Sequence, residues 1–186
     1  MSCYKNLIDL IIGPNKKWGS IISDKSTPEE VAVSLLYPLA GILAIIIFII
    51  EIEFTQQRSE SGLEKAIQYT AIAFVQFFAS YYIIASIVSK FFQKRHNIVK
   101  SKIYIIYILS LTIIFYAIDA ILPQYTQYIA PLSLYIIYIA WCGYKYINYD
   151  NEKTNSIFVA TISAMVLLFP VIISLILKCC LKFITL

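Results

Sequence analysis

Long apolar runs separated by short polar loops dominate the pattern of this chain. Five of these runs have the length needed to cross a hydrocarbon core, about 20 residues at a rise of about 1.5 Å per residue. They predict membrane spans over residues 31–50, 66–89, 103–122, 129–147 and 156–177. Because backbone in lipid must satisfy its own hydrogen bonds, we interpret the runs as helices. The predicted fold class is an all-α integral membrane helical bundle of about five spans.

Residues 1–27 carry a helical pattern that is too short to span a membrane. Apolar side chains at helical spacing share one face of residues 4–12, namely Tyr4, Leu7, Ile8, Ile11 and Ile12. Gly13 and Pro14 end this stretch, and a second one follows around Trp18. We predict an N-terminal interfacial amphipathic segment over residues 1–27, with Trp18 at headgroup depth, and a membrane bundle over residues 28–186.

The start of the first span has a helix-capping signature. Thr27 can cap the helix, Pro28 suits its first turn, and Glu30 can reach back to close a capping box. Inside the same span, Pro38 and Gly41 predict a kink or a close helix contact.

Small residues recur at four-residue spacing in three of the predicted spans. They are Ala40 and Ala44, Ala85 and Ser89, and Ser156, Ala160 and Ala164. Such stripes allow helices to approach closely. We expect packing within the chain, and a homo-oligomer is the alternative.

Composition supports the membrane interpretation. Hydrophobic residues make up 60% of the chain and charged residues 14%, against roughly 45–50% and 25% in soluble domains. With five spans, eleven of the fifteen Lys and Arg fall on the side of the N-terminal segment. The positive-inside rule then predicts a cytoplasmic N-terminus and a C-terminus outside. Because the cations lie in loops rather than in a tract with interleaved aromatics, we expect no nucleic-acid partner.

Residues that bear chemistry are sparse. The chain has no HExxH, GxSxG, P-loop or dinucleotide-binding motif. A single histidine is present, and the cysteines have no metal-binding spacing: Cys3, Cys142, Cys179 and Cys180. We therefore expect no enzyme activity, no metal and no cofactor.

Asp119 is the one acidic residue inside a predicted span. An ionisable group at membrane depth suggests a functional site. Asp119 lies three residues from the outer end of its span, about 5 Å by helical rise. An interfacial carboxylate that reaches water or a tyrosine hydroxyl is therefore preferred over an ion or substrate site, and both interpretations stay open.

The order of features along the chain resembles that of one known family. Pro14 and Trp18 form a P-x-x-x-W pattern, and a first span with Pro38 and Gly41 follows. A second span and a basic loop lead to a tight hairpin whose second arm reads LYIIYIAWCG over 134–143. This pattern is similar to the Yip family, the Rab-GTPase-interacting multi-span membrane proteins, and to its short prokaryotic branch.

The resemblance implies a membrane protein that works through contacts. Eukaryotic members of the Yip family contact Rab GTPases and shape or sort membranes, whereas prokaryotic members lack that partner system. The family supplies no catalytic residue to carry over. On the prokaryotic branch alone, we expect a multi-pass protein of the bacterial cytoplasmic (inner) membrane.

Two functional hypotheses follow. The leading one is a non-enzymatic scaffold or adaptor that binds the lipid bilayer and a membrane or cytoplasmic protein partner. Its candidate contact residues are Lys16, Lys17, Trp18, Lys94, Arg95 and Lys100. The alternative is a small transporter or channel component in which Asp119 lies near an outer cation site.

Overall fold

The computed structural model describes residues 3–56, 62–92, 98–147 and 152–184. Every element in these ranges is helical, so the predicted all-α class is confirmed. Eight α-helices follow one another, with bounds α1 Cys3–Ile12, α2 Pro14–Ile22, α3 Pro28–Val31, α4 Tyr37–Gln56, α5 Gly62–Phe92, α6 Ile98–Ile121, α7 Thr126–Gly143 and α8 Glu152–Ile184. A π-helical turn, Ala32–Leu36, joins α3 to α4, and single 3₁₀ turns cover Pro123–Tyr125 and Tyr144–Tyr146.

Four of these helical segments are long and apolar enough to cross a membrane: Pro28–Glu53, Leu63–Lys90, Ile98–Ile121 and Ile157–Leu181. They match the first, second, third and fifth predicted spans. The fourth predicted span corresponds to α7, which has 18 residues, contains Pro131, and holds a shorter apolar stretch over Leu134–Gly143. The chain is therefore a multi-pass membrane protein by length and composition, and the count of five spans stays a prediction.

The first long helix begins as the sequence predicts. Thr27 Oγ1 accepts a hydrogen bond of 3.2 Å from the Glu30 backbone N–H, and the Thr27 N–H donates to Glu30 Oε2 at 3.0 Å. These two bonds satisfy donors that the helix start leaves free. The capping box is thus confirmed.

The irregularity predicted at Pro38 takes the form of the π-helical turn immediately before it. Pro38 has no N–H to bond the carbonyl of Ser34, and its ring would clash with that carbonyl in a regular helix. A wider turn relieves the clash. Gly41, by contrast, makes no close contact, because a Cβ placed there would meet nothing within 4 Å.

Helix α6 forms the centre of the bundle and contacts α2, α3, α4, α5, α7 and α8. Its side chains are buried almost without interruption from Ser101 to Ile113. Helices α4 and α5 pack together, with Ala40, Ala44 and Ala85 buried as the small-residue stripes predict. The stripe on α8 behaves differently, since Ala160 and Ala164 are exposed.

The direction of the last three helices follows from contacts between them. The Tyr104 hydroxyl, near the start of α6, donates to the Ala140 carbonyl near the end of α7 at 2.7 Å, so α6 and α7 form an antiparallel hairpin. Helix α8 then starts beside Tyr104, where Phe158 lies 6.3 Å away between ring centroids. It ends near the start of α5, where Lys178 Nζ lies 5.5 Å from the Tyr69 ring centroid. Helix α8 therefore runs from one end of the bundle to the other.

Candidate functional site

The N-terminal helices pack into the bundle, and Trp18 is their main anchor. Trp18 is 0% exposed, and its Nε1–H donates to the Ile139 carbonyl of α7 at 2.8 Å. Its ring lies 4.9 Å from the Tyr104 ring of α6, centroid to centroid. A Cβ on Gly143 would lie 2.7 Å from Trp18 Cε2. Trp18 thus fills a slot between α6 and α7 that exists because residue 143 has no side chain.

This burial corrects the expectation that Trp18 is a lipid or partner contact. The sequence shows an indole beside lysines, which is typical of the interface. In the fold, the Ile139 carbonyl satisfies the indole N–H, so the polar edge of the ring does not need water. Trp18 is a core residue.

Two more hydrogen bonds attach α1 and α2 to the second arm of the hairpin. The Tyr135 hydroxyl donates to the Ile11 carbonyl at 2.8 Å, and the Tyr146 hydroxyl donates to the Asn15 carbonyl at 2.7 Å. Both acceptors lie close to the α1–α2 junction. Ile11 is in the last turn of α1, where the helix leaves carbonyl groups free, and Asn15 is in the first turn of α2. Tyrosines of the fourth predicted span therefore fix the N-terminal helices in place.

Helix α1 buries a different face from the one predicted. Its buried residues are Asn6, Leu7 and Leu10, whereas Ile8 and Ile12 of the expected apolar face are 58% and 80% exposed. The buried face is rotated by about 100°, one residue around the helix. Helix α1 is apolar on both sides, so the bundle covers one side and the other remains available to lipid.

The candidate lysines of α2 differ in their surroundings. Lys17 Nζ pairs with Asp9 Oδ2 at 2.9 Å, and this bridge ties α2 back to α1. Lys16 is exposed. Lys16 therefore suits a surface contact better than Lys17 does, while Lys94 and Arg95 lie outside the described residues.

Lys100 lies beside a pocket of about 400 Å³ where the α2–α3 connection meets the start of α6. We call it the linker pocket; its lining residues are Ile22, Ser23, Asp24, Lys25, Ser26, Val99, Lys100 and Ile103. Lys25 and Lys100 belong to different predicted loops. The structure brings them to one pocket, as the grouping of basic loops on one side predicts.

A second cavity, of about 360 Å³, opens between α4, α5 and the start of α6. We call it the tyrosine groove. Its apolar and aromatic lining comes from Ala32, Tyr37, Tyr81, Tyr82 and Ala85. Its charged and hydroxyl lining comes from Glu29, Ser86, Ser89, Lys90 and Lys102. We define the lysine-rich end of the bundle by the four lysines of these two cavities, Lys25, Lys90, Lys100 and Lys102.

The π-helical turn and a tyrosine pair shape the tyrosine groove. The hydroxyl oxygens of Tyr37 and Tyr82 lie 3.2 Å apart and share a hydrogen bond. The Tyr37 ring stacks on Phe78 at 4.5 Å between centroids, which holds it against α5. Tyr37 directly follows the π-helical turn, and turns of this kind occur frequently at functional sites.

The hydrophobic pattern of the sequence does not predict this groove. On α5, Tyr82, Ser86, Ser89 and Lys90 recur at helical spacing, and that stripe was the available signal. Taken singly, Ser89 fits a helix-packing stripe and Lys90 fits the end of a membrane span. The partner side of the groove comes from Glu29 and Tyr37, more than 40 residues earlier in the chain, a pairing that only the fold reveals.

Asp119 lies two residues before the end of α6 and is partly buried. Its Oδ1 is shielded from solvent and has no hydrogen-bond partner among the described residues. Within the described ranges, no three His, Cys, Asp or Glu side chains gather closely enough to hold a metal ion. Asp119 remains a single buried carboxylate oxygen near the end of the bundle opposite the lysine-rich end.

Comparisons of the chain with known protein families, with curated proteins and with solved structures find no match. The resemblance to the Yip family therefore stays a prediction. Function has to be argued from the geometry of the lysine-rich end and of Asp119.

Proposed function

We propose that this chain is a non-enzymatic integral membrane scaffold that binds a lipid or protein partner through the lysine-rich end of its bundle. The observation that supports the proposal most is the pair of neighbouring cavities at that end, each lined by two lysines. Both cavities use the first turns of α6, the most buried helix of the bundle. A partner bound there would rest on the rigid centre of the fold.

The charge at this end fits an acidic partner. Each Lys or Arg near a membrane surface attracts anionic lipid by about 1 kcal/mol. The four lysines are held by the fold around two adjoining cavities, so the attraction acts at a defined place on the surface. The lysines of a flexible basic tail have no such fixed positions. With the N-terminus in the cytoplasm, these lysines face the anionic inner leaflet of a bacterial cytoplasmic membrane, in line with the resemblance to the prokaryotic branch of the Yip family.

Purification in mild detergent, with mass spectrometry of everything retained, tests the proposal. We expect anionic lipid or a defined protein partner to remain with the native chain. Retention should fall in the double variant Lys25→Gln/Lys100→Gln, which removes both lysines of the linker pocket. The matched control Lys65→Gln/Lys178→Gln removes two lysines from the opposite end and should retain the partner.

Recovery of neither lipid nor partner with the native chain would contradict the proposal. Equal losses in both double variants would also contradict it, because they would reflect net charge rather than the lysine-rich end.

Asp119 supports a second candidate function, a small transporter or channel component. The supporting observation is its shielded Oδ1, which has no hydrogen-bond partner in the described part of the chain. An unpaired carboxylate oxygen at that depth is costly, and a passing cation would satisfy it. Replacing Asp119 by Asn and measuring cation flux in proteoliposomes tests this candidate. Flux that is absent or unchanged by the substitution would exclude it.

A further inference from the structure

The tyrosine groove has a polarity gradient along its length. On α5, Tyr82 and Lys90 are eight residues apart, about 12 Å along the helix axis. Lys90 and Lys102 line the groove near the end of α5 and the start of α6, and the hydroxyls of Ser86 and Ser89 come next. The tyrosine pair lies at the deeper level. One end of the groove is charged and the other is aromatic and apolar. Its lining therefore matches the two ends of an amphiphilic ligand.

The two lysines of the groove are available to a ligand. Neither the Lys90 nor the Lys102 side chain forms an ion pair or hydrogen bond with any described residue. Glu29 lines the same groove, so the formal charge of the lining is +1. A single anionic group placed between the lysines would be attracted by both and opposed by Glu29 alone.

The groove is also open to the lipid phase. Tyr82 is 56% exposed and Ile83, next to it on α5, is 41% exposed. Val33, in the π-helical turn on the opposite wall, is 61% exposed. Acyl chains can therefore lie along these apolar residues while the headgroup enters the groove from the side.

We propose that the tyrosine groove binds one anionic phospholipid, with its phosphate between Lys90 and Lys102 and its acyl chains along the α4–α5 surface. Ammonium groups donate to phosphate oxygens, and serine hydroxyls supply neutral donors beside them. The inference rests on the proposed function and names the ligand class for one of its two cavities. Charge complementarity and the opening to lipid favour a lipid over a soluble anion.

Titration of the purified full chain in mild detergent, followed by native mass spectrometry, tests the site. The probes are phosphatidylglycerol and phosphatidylcholine with the same acyl chains. We expect phosphatidylglycerol to bind with about tenfold higher affinity, and the double variant Lys90→Gln/Lys102→Gln to abolish that preference. The variant Glu29→Gln should shift affinity in the opposite direction and tighten the binding of phosphatidylglycerol.

Two further variants distinguish lipid binding in the groove from attraction to positive charge elsewhere on the protein. Ser86→Leu keeps both lysines and fills the groove, so we expect phosphatidylglycerol binding to fall severalfold. Lys65→Gln/Lys178→Gln removes two exposed lysines from the end of the bundle opposite the groove and should leave binding unchanged. Because Ser86→Leu alters an exposed position, it tests the site even if the double lysine variant does not fold.

Three results would overturn the inference. The first is phosphatidylglycerol binding that survives both Ser86→Leu and the loss of Lys90 and Lys102. The second is an equal loss in the Lys65→Gln/Lys178→Gln control. The third is competition by free inorganic phosphate at the same concentration as the lipid, which would make the groove a soluble-anion site. Lipid retained by the native chain but indifferent to these groove variants would refute the inference and leave the broader scaffold proposal standing.

Discussion

At the residue scale, aromatic side chains that resemble interface anchors act as hydrogen-bond donors inside the fold. Tyr104, Tyr135 and Tyr146 donate to backbone carbonyls of other helices at 2.7–2.8 Å. Tyr138, on the same helix as Tyr135, is instead 47% exposed. A phenol suits both roles, because its ring is apolar and its hydroxyl needs one partner. The sequence alone does not tell whether that partner is water or a carbonyl.

Gly143 provides a direct test of the slot that Trp18 fills. Gly143→Ala puts a methyl group within 2.7 Å of buried atoms of both Trp18 and Tyr104. We expect the free energy of unfolding to fall by about 1–3 kcal/mol through overpacking. Gly41→Ala is the matched control, since nothing lies within 4 Å of its added Cβ. It should be neutral or stabilise the chain by up to about 1 kcal/mol.

Thermal unfolding of the two glycine variants in the same detergent provides the measurement. Equal stability of Gly143→Ala and the native chain would show that the slot is not closely packed.

The two tryptophans should respond differently to lipid. Trp18 is 0% exposed and Trp141 is 47% exposed. Fluorescence quenching by brominated lipids in proteoliposomes reports contact with acyl chains. We expect weak quenching in Trp141→Phe, which leaves Trp18 as the only indole, and strong quenching in Trp18→Phe. Strong quenching of Trp18 would instead support the interfacial position that the sequence predicts.

At the element scale, the N-terminal helices differ most from the sequence-based expectation. Their helical periodicity and the break at Gly13 are as predicted. Their role differs, because α1 and α2 pack against α6 and α7 and share the core of the bundle through Leu7, Leu10 and Trp18. A short helix that is apolar on two sides can lie on a membrane or inside a bundle. Its hydropathy does not discriminate between these environments.

The first long helix offers a test of local sequence chemistry. Thr27→Ala removes the oxygen that accepts the Glu30 N–H. We expect a loss of about 1 kcal/mol in the free energy of unfolding, whereas Thr27→Ser, which keeps the oxygen, should stay near the native value. Thermal or denaturant unfolding measures the difference. If alanine and serine at position 27 prove equally stable, the capping box contributes nothing to stability.

At the scale of the whole molecule, α6 organises the bundle. The hydrophobic pattern treats all five predicted spans alike, because each is apolar around its circumference. The structure distinguishes them, since α6 is buried along most of residues 101–113 whereas α4 and α8 keep wide exposed faces. Lipid and the protein interior are both apolar surroundings. The hydropathy of a span therefore does not show which of them the span contacts.

The arrangement of the helices predicts that the two chain ends lie on opposite sides of the membrane. Two single-cysteine chains test this, one with Lys5→Cys and one with the native Cys180, each with the other cysteines replaced by serine. Lys5 and Cys180 are both exposed. A membrane-impermeant maleimide applied to sealed vesicles should label one chain and not the other. Labelling of both from the same side would mean that α7 does not cross.

The sequence by itself determined the all-α class, the multi-pass membrane character, the capped start at Thr27 and the irregularity at Pro38. These features depend on composition, on run length or on residues within one helical turn of each other. It also indicated that Lys25 and Lys100 lie at one end, because charge alternation between loops follows from counting spans. Such properties depend on single segments or on sums over segments, so they can be predicted from the sequence.

Only the tertiary structure decided which surfaces meet. It placed Trp18 in the core rather than on a contact surface, rotated the buried face of α1, and assembled the tyrosine groove from segments more than 40 residues apart. Each outcome depends on how helices of similar hydropathy pack, and packing depends on shape, as the missing side chain at Gly143 illustrates. A hydrophobic pattern shows whether a segment prefers water or an apolar environment. Which helices the segment contacts depends on how well their surfaces fit together.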